Sequence, residues 1–114
     1  MTEQIERKHE RIELNQAIPI IDTINGGSFG ELVNATVEGI MIITDNPIPA
    51  NSIYQLSLQL PMDIEGSDTI NIGADCLWSR RIENFHRYWA GFHIIDASDT
   101  ALAQLEKLIA HYSK

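Results

Sequence analysis

Hydrophobic and polar positions alternate through the middle of the chain. From Ile53 to Leu60, Tyr54, Leu56, Leu58 and Leu60 fall on one side and Gln55, Ser57 and Gln59 on the other. From Thr69 to Trp78 the same rhythm sets Ile70, Ile72, Ala74, Cys76 and Trp78 against Asn71, Gly73 and Asp75. Period-two patterning predicts strands with one buried and one solvated face. Gly39 to Thr44 and Tyr88 to Ile95 are shorter β-branched or aromatic runs that predict two more strands. Ile12 to Ile24 reads as a further strand, with Pro19 marking an edge. Turn chemistry falls between these runs, at Asn25-Gly26-Gly27, Asp45-Asn46-Pro47, Pro61 to Asp68 and Glu83-Asn84.

The period changes in the tail. After Ser98, a residue suited to cap a helix, the apolar residues Leu102, Leu105, Leu108, Ile109 and Tyr112 recur three or four apart. One amphipathic helix of about four turns follows. The fold expected is mainly β, a six-stranded antiparallel β-barrel with a C-terminal α-helix covering one end. Residues 1–11 carry many charges and little apolar surface, so they are expected to form a flexible arm. Residues 12–114 are expected to form the barrel, with its helix from about 98. A chain of 114 residues is one domain.

Composition adds constraints. With 44% hydrophobic and 21% charged residues the chain is globular rather than disordered. The single Cys76 allows no internal disulfide and fits a reducing cytoplasm. No apolar run approaches the roughly 18 residues needed to span a bilayer, and the charged N-terminus is no secretory signal. A net charge of −8 argues against polyanions held by general electrostatics, such as duplex DNA or an anionic membrane. The cations are clustered: Arg7, Lys8 and Arg11 form one group and Arg80, Arg81 and Arg87 a second, with nine acids and no Lys or Arg from Ile12 to Ser79. Two such clusters on an acidic protein suit a small, compact anion. Solvation, or pairing with Glu3, Glu6, Glu10 and Glu83, would equally account for them on charge alone.

Nothing in the chain frames catalysis. His9, His86, His93 and His111 are scattered, without metal-ligand spacing or a cysteine partner. No nucleophile motif surrounds any serine or threonine. Asn25-Gly26-Gly27-Ser28-Phe29-Gly30 is Gly-rich, but no helix follows it and no Gly-Lys pair closes it, so it reads as a hairpin turn. Trp78 and Trp89 read as core or barrel-mouth residues. The expectation is a protein that is not an enzyme and holds neither metal nor cofactor.

Two short motifs remain. Arg7-Lys8-His9-Glu10-Arg11 reads R-x-x-x-R, and Asn34-Ala35-Thr36-Val37-Glu38-Gly39 reads N-x-T-x-x-G, with 22 residues between them. Their order and separation resemble the PilZ domain family, whose signature is R-x-x-x-R followed by [D/N]-x-S-x-x-G. The strand after Gly39, the strand ending in Leu77-Trp78 and the Ala90-to-Ile94 run before the terminal helix are similar to that family too, so the resemblance spans the chain. One departure is Thr36 at the family's serine, which keeps the hydroxyl and adds a stiffening β-methyl.

The resemblance implies a receptor for cyclic di-GMP, a bacterial second messenger, with Arg7, Lys8, Arg11, Asn34, Thr36 and Gly39 at its site. The residue types suit the ligand. An Arg can fork onto guanine O6 and N7, lie flat on a purine or pair with a phosphate. Asn34 and the Thr36 hydroxyl offer donors and acceptors, and Gly39 permits a close backbone approach. Such a receptor would pass its signal to a downstream protein partner through ordering of the arm. The alternative is a protein-interaction adaptor of the same fold without nucleotide binding, which an exposed apolar patch would favour. A barrel for single-stranded nucleic acid would need a basic groove, which the acid-only middle does not supply.

Overall fold

The computed structural model describes residues 18–112, excluding the side chain of Tyr112. Six strands, β1 (Pro19–Asp22), β2 (Gly27–Ala35), β3 (Gly39–Thr44), β4 (Ile53–Ile64), β5 (Ser67–Arg81) and β6 (Tyr88–Asp96), precede one helix, α1 (Asp99–Tyr112). The strands close into a barrel in the order β1-β2-β3-β6-β5-β4, every pair antiparallel. The expected mainly β barrel with its terminal helix is therefore present. The Asn25–Gly27 stretch is the hairpin between β1 and β2. Arg7, Lys8, Arg11 and the upstream part of the strand expected from Ile12 lie outside the described residues.

The inward positions are those the alternation marks. Leu56, Leu58, Leu60, Ile70, Ile72, Ala74 and Cys76 are buried, joined by Ile18, Ile20, Ile40 and Ile42. Phe29, Tyr54 and Phe92 make an aromatic cluster against this core, with ring centroids 4.9, 5.8 and 6.1 Å apart. Tilted and edge-on contacts of this kind add about 0.5–1.5 kcal/mol each beyond burial.

Two expectations need correction. Pro61 to Asp68 is not a loop. β4 runs on through Pro61 to Ile64 and turns at Glu65-Gly66, both at positive φ, 55° and 84°, so Ile64 pairs with Ser67. A two-residue turn with positive φ matches strand twist, and an irregular register between Gln59 and Ile64 accommodates the proline. Trp78 is also not on the core face. The register shifts between Cys76 and Trp78, two steps on β5 matching the single step from Phe92 to Gly91 on β6. The extra residue, Leu77, is a β-bulge, and the phase beyond it reverses.

Helix α1 starts as expected: Ser98 Oγ accepts from Ala101 N at 3.0 Å. Its buried stripe is Ala101, Gln104, Leu105 and Leu108, with Leu102 half-buried. Gln104 earns its inward place by donating through Nε2 to the carbonyls of Ile64 at 3.1 Å and Thr69 at 2.9 Å. Those bonds tie α1 to the barrel end formed by the β4–β5 hairpin.

At the other end, the β1–β2 turn is held by Asp22, only 7% exposed. Burial opposes its charge, but Oδ1 accepts from the backbone of Asn25 and Ile24 and Oδ2 from Asn25 Nδ2, and together they hold the carboxyl below its ordinary 3.8. A pKa lower folded than unfolded contributes stability above the unfolded value, and that stability is lost as pH falls through the folded value. Asp22→Asn should therefore lower the urea midpoint at pH 7, with the gap from the parent closing as pH is taken below 3.8. A gap that widens in acid would show that the carboxylate does not hold the turn.

Candidate functional site

Of the motif residues, Asn34, Thr36 and Gly39 are described, and the barrel's register determines where each lies. Asn34 is two residues from Leu32, which is buried, so a regular strand would point it inward. The register shifts between Leu32 and Asn34, leaving Val33 as an extra residue opposite Ile42 and Met41. This bulge reverses the phase: Asn34 turns to the outer surface, half-buried, and Ala35 enters the core.

Thr36 and Gly39 build the connection from β2 to β3. Thr36 N donates to Gly39 O at 2.8 Å. The Thr36 hydroxyl oxygen accepts from Glu38 N and Gly39 N, each at 3.2 Å, and its proton is directed at Gly39 O at 3.4 Å. The hydroxyl thus caps its own turn. Gly39 is demanded by the neighbouring strand, because a Cβ there would stand 2.5 Å from the Phe92 carbonyl oxygen of β6. The close approach expected of this glycine is made to protein backbone.

The outer surface beside this turn is a four-strand face. Asn34 pairs with Met41, Met41 with Gly91, and Gly91 with Trp78. One cross-strand row therefore carries Asn34 at one end and Trp78 at the other, roughly 14 Å apart at about 4.8 Å per strand. The next row is Glu31, Ile43, Trp89 and Arg80, and the one beyond the first holds Gly39, His93 and Asp75. Trp78 lies over Gly91, where any Cβ would overlap the indole, and remains 38% exposed. Arg80 stands over the Trp78 ring, its guanidinium carbon 5.6 Å from the centroid.

Sequence reasoning did not find this platform, since alternation puts Trp78 inside. The one legible signal is Gly91, a glycine within a strand, which often marks a place where another group lies close. The second basic cluster does not act as a unit. Arg80 joins the platform, whereas Arg81 Nε donates to Phe85 O at 3.4 Å and Arg87 pairs with Asp45 at 3.2 Å. Among the described residues no group of three or more His, Cys, Asp or Glu gathers as a metal site. Nor is any helix long and apolar enough to cross a membrane.

The family model of the PilZ domain matches residues 5–111. The chain belongs to the PilZ domain family. A search of curated protein sequences finds no match. Among solved structures, the PilZ domain of Escherichia coli YcgR with c-di-GMP superposes with a TM-score of 0.64 at 14% identity, covering 95% of this chain and 92% of that one. MrkH of K. pneumonia in its apo state superposes at 0.69 with 12% identity, and the Bacillus subtilis inhibitor of motility MotI/DgrA at 0.67 with 13%. Those two matches cover 97% and 96% of this PilZ chain, which spans only about half of the larger proteins, 53% and 52% of their chains. At such identities the likeness is one of fold.

The turn geometry gives a test that needs no ligand. Thr36→Ser keeps the oxygen and should unfold within about 0.5 kcal/mol of the parent, whereas Thr36→Val leaves two exposed backbone donors to water and should lose about 0.5–1.5 kcal/mol. Urea unfolding of both variants checks this. A valine variant of parental stability would free the hydroxyl from its turn role.

Proposed function

We propose that this PilZ domain is a cyclic di-GMP receptor whose outer β2-β3-β6-β5 face takes the nucleotide and whose N-terminal arm closes over it. The observation that carries the reading is the row joining Asn34 to Trp78. It places an amide able to read a guanine edge and an exposed indole beside Arg80 on one surface. A base stacked on an aromatic side chain is worth about 1–3 kcal/mol, and a bidentate Arg–guanine pair about the same. Thr36 and Gly39 act by shaping the turn that holds Asn34.

Charge explains why the arm is needed. Arg80 is the one cation in these platform rows, which also contain Glu31 and Asp75. Two phosphates on such a surface need further cations, and Arg7, Lys8 and Arg11 supply them. Arg7 and Arg11 fork onto phosphate or guanine, and Lys8 adds a screened point charge. Ile18, where the described chain begins, lies beside this face, its carbonyl accepting from Leu32 N at 3.0 Å, two positions from Asn34. Ordering of residues 1–11 over the ligand changes the exposed surface, and a downstream protein partner reads that change.

The adaptor reading is favoured by exposed apolar side chains next to the platform. Leu77 is 54% exposed at the bulge and Ile53, paired with Asp75, is 64% exposed. Calorimetry separates the two. Cyclic di-GMP should bind where GTP and cyclic di-AMP do not, and the adaptor reading predicts no heat from any of the three.

Arg11→Ala and Arg7→Ala should each remove most binding with the barrel intact, and Trp78→Ala should weaken it about 10-fold or more. Lys8→Ala should weaken it slightly, and less at high salt. Parental affinity in Arg11→Ala and Trp78→Ala would overturn the assignment.

A further inference from the structure

An apolar groove that the proposed nucleotide face does not use lies where the β2–β3 turn meets the last turns of α1. It has a volume of about 380 Å³ and is lined by Ala35, Thr36, Val37, Glu106, Ile109 and Ala110, four of the six apolar. Val37 is 41% exposed although it adjoins Thr36 of the motif. Two observations bear on its occupant.

The first is the direction of the chain. β1 runs antiparallel to β2, with Pro19 opposite Glu31 and Ile18 O accepting from Leu32 N. The described chain thus enters β1 from the side on which β2 leads to Asn34 and the turn at 36–37. The six steps from Ile18 back to Ile12 span about 20 Å at 3.3 Å per extended residue, and the five from Leu32 to Val37 about 17 Å. The segment is long enough to reach the groove.

The second is the phase. Ile18 and Ile20 are fully buried. In an extended chain the same even-numbered face continues through Gln16 to Leu14 and Ile12, with Glu13 and Asn15 on the other. Residues 12–17 thus hold two large apolar side chains, Ile12 and Leu14, two residues apart.

We propose that residues 12–17 of this chain seat in that groove, filled by Ile12 and Leu14, so that Arg11 emerges beside Thr36. The arm then hinges at a fixed point with α1 as one wall of its seat. Arm position and helix position become coupled, and the surface that changes on ligand binding includes α1. The seat stands apart from the nucleotide reading, and only its consequence for affinity rests on that reading.

The test uses the full chain with labelled methyl groups and no nucleotide. Nuclear Overhauser contacts should join the Ile12 and Leu14 methyls to those of Val37 and Ile109. Their absence would overturn the proposal, as would contacts seen only between labelled and unlabelled molecules, which would assign the groove to a second copy. In an Ile12→Ser, Leu14→Ser double variant the methyl resonances of Val37, Ile109 and Ala110 should shift while those of Ile42 and Leu58, deep in the barrel, hold still. Unmoved groove resonances would also overturn it. In the nucleotide arm, the double variant should bind cyclic di-GMP about 10-fold more weakly with Arg7 and Arg11 present, and unchanged affinity would refute the coupling. Failure of the parent to bind nucleotide would sink the receptor reading and leave the Overhauser contacts to decide the seat.

Discussion

Strict alternation would bury both Asn34 and Trp78. A strand's side chains alternate with period two, so the faces of Leu32 and Cys76 in the core determine the faces of residues two further along. One inserted residue in β2, Val33, and one in β5, Leu77, break that constraint. Because Met41 and Gly91 connect the two sites in one cross-strand row, both reversals deliver their side chains to the same outer face. The barrel interior stays apolar and filled, while its outside gains an amide, an indole and a guanidinium. The site is a consequence of where the register slips.

The second motif then divides between architecture and chemistry. Thr36 and Gly39 are committed to backbone geometry, one capping the turn and the other admitting the Phe92 carbonyl. Serine and threonine serve that cap alike, so the departure from the family's serine keeps the turn's hydrogen bonds. Asn34 is left as the residue of the motif whose side chain is turned to the outer face. In the proposed receptor, the ligand chemistry falls to Asn34, to Trp78 with Arg80, and to the cations of the arm.

Much of the fold was legible because burial is periodic. Leu56, Leu58 and Leu60, or Ile70, Ile72 and Ala74, announce their strands and their inward faces without help from the rest of the chain. Ser98 announces its helix through local hydrogen bonding. What local pattern could not reveal depends on the neighbouring strand. The bulges at Val33 and Leu77 follow from the register with β3 and β6, so alternation alone sets Trp78 on the inward face. The same holds for Gly39, whose reason is an atom of β6, and for the Pro61–Asp68 stretch, whose proline and charges look like a loop until β5 pairs with it. The helix stripe was read slightly out of phase because Gln104 is polar yet buried, its amide satisfied by two hairpin carbonyls. The two family motifs could be recognised by order and spacing, whereas the platform of Trp78 and Arg80 could not.

In the proposed receptor, one outer face and the arm of residues 1–11 close together around cyclic di-GMP. Amide hydrogen exchange with and without the nucleotide reads this directly, residue by residue. The account predicts new protection at residues 5–11, together with slowed exchange at 34–39 and around Trp78, and little change on β1 and β4 across the barrel. Protection of residues 5–11 already complete in the free protein, or nucleotide-dependent protection on the β1–β4 side instead, would contradict it.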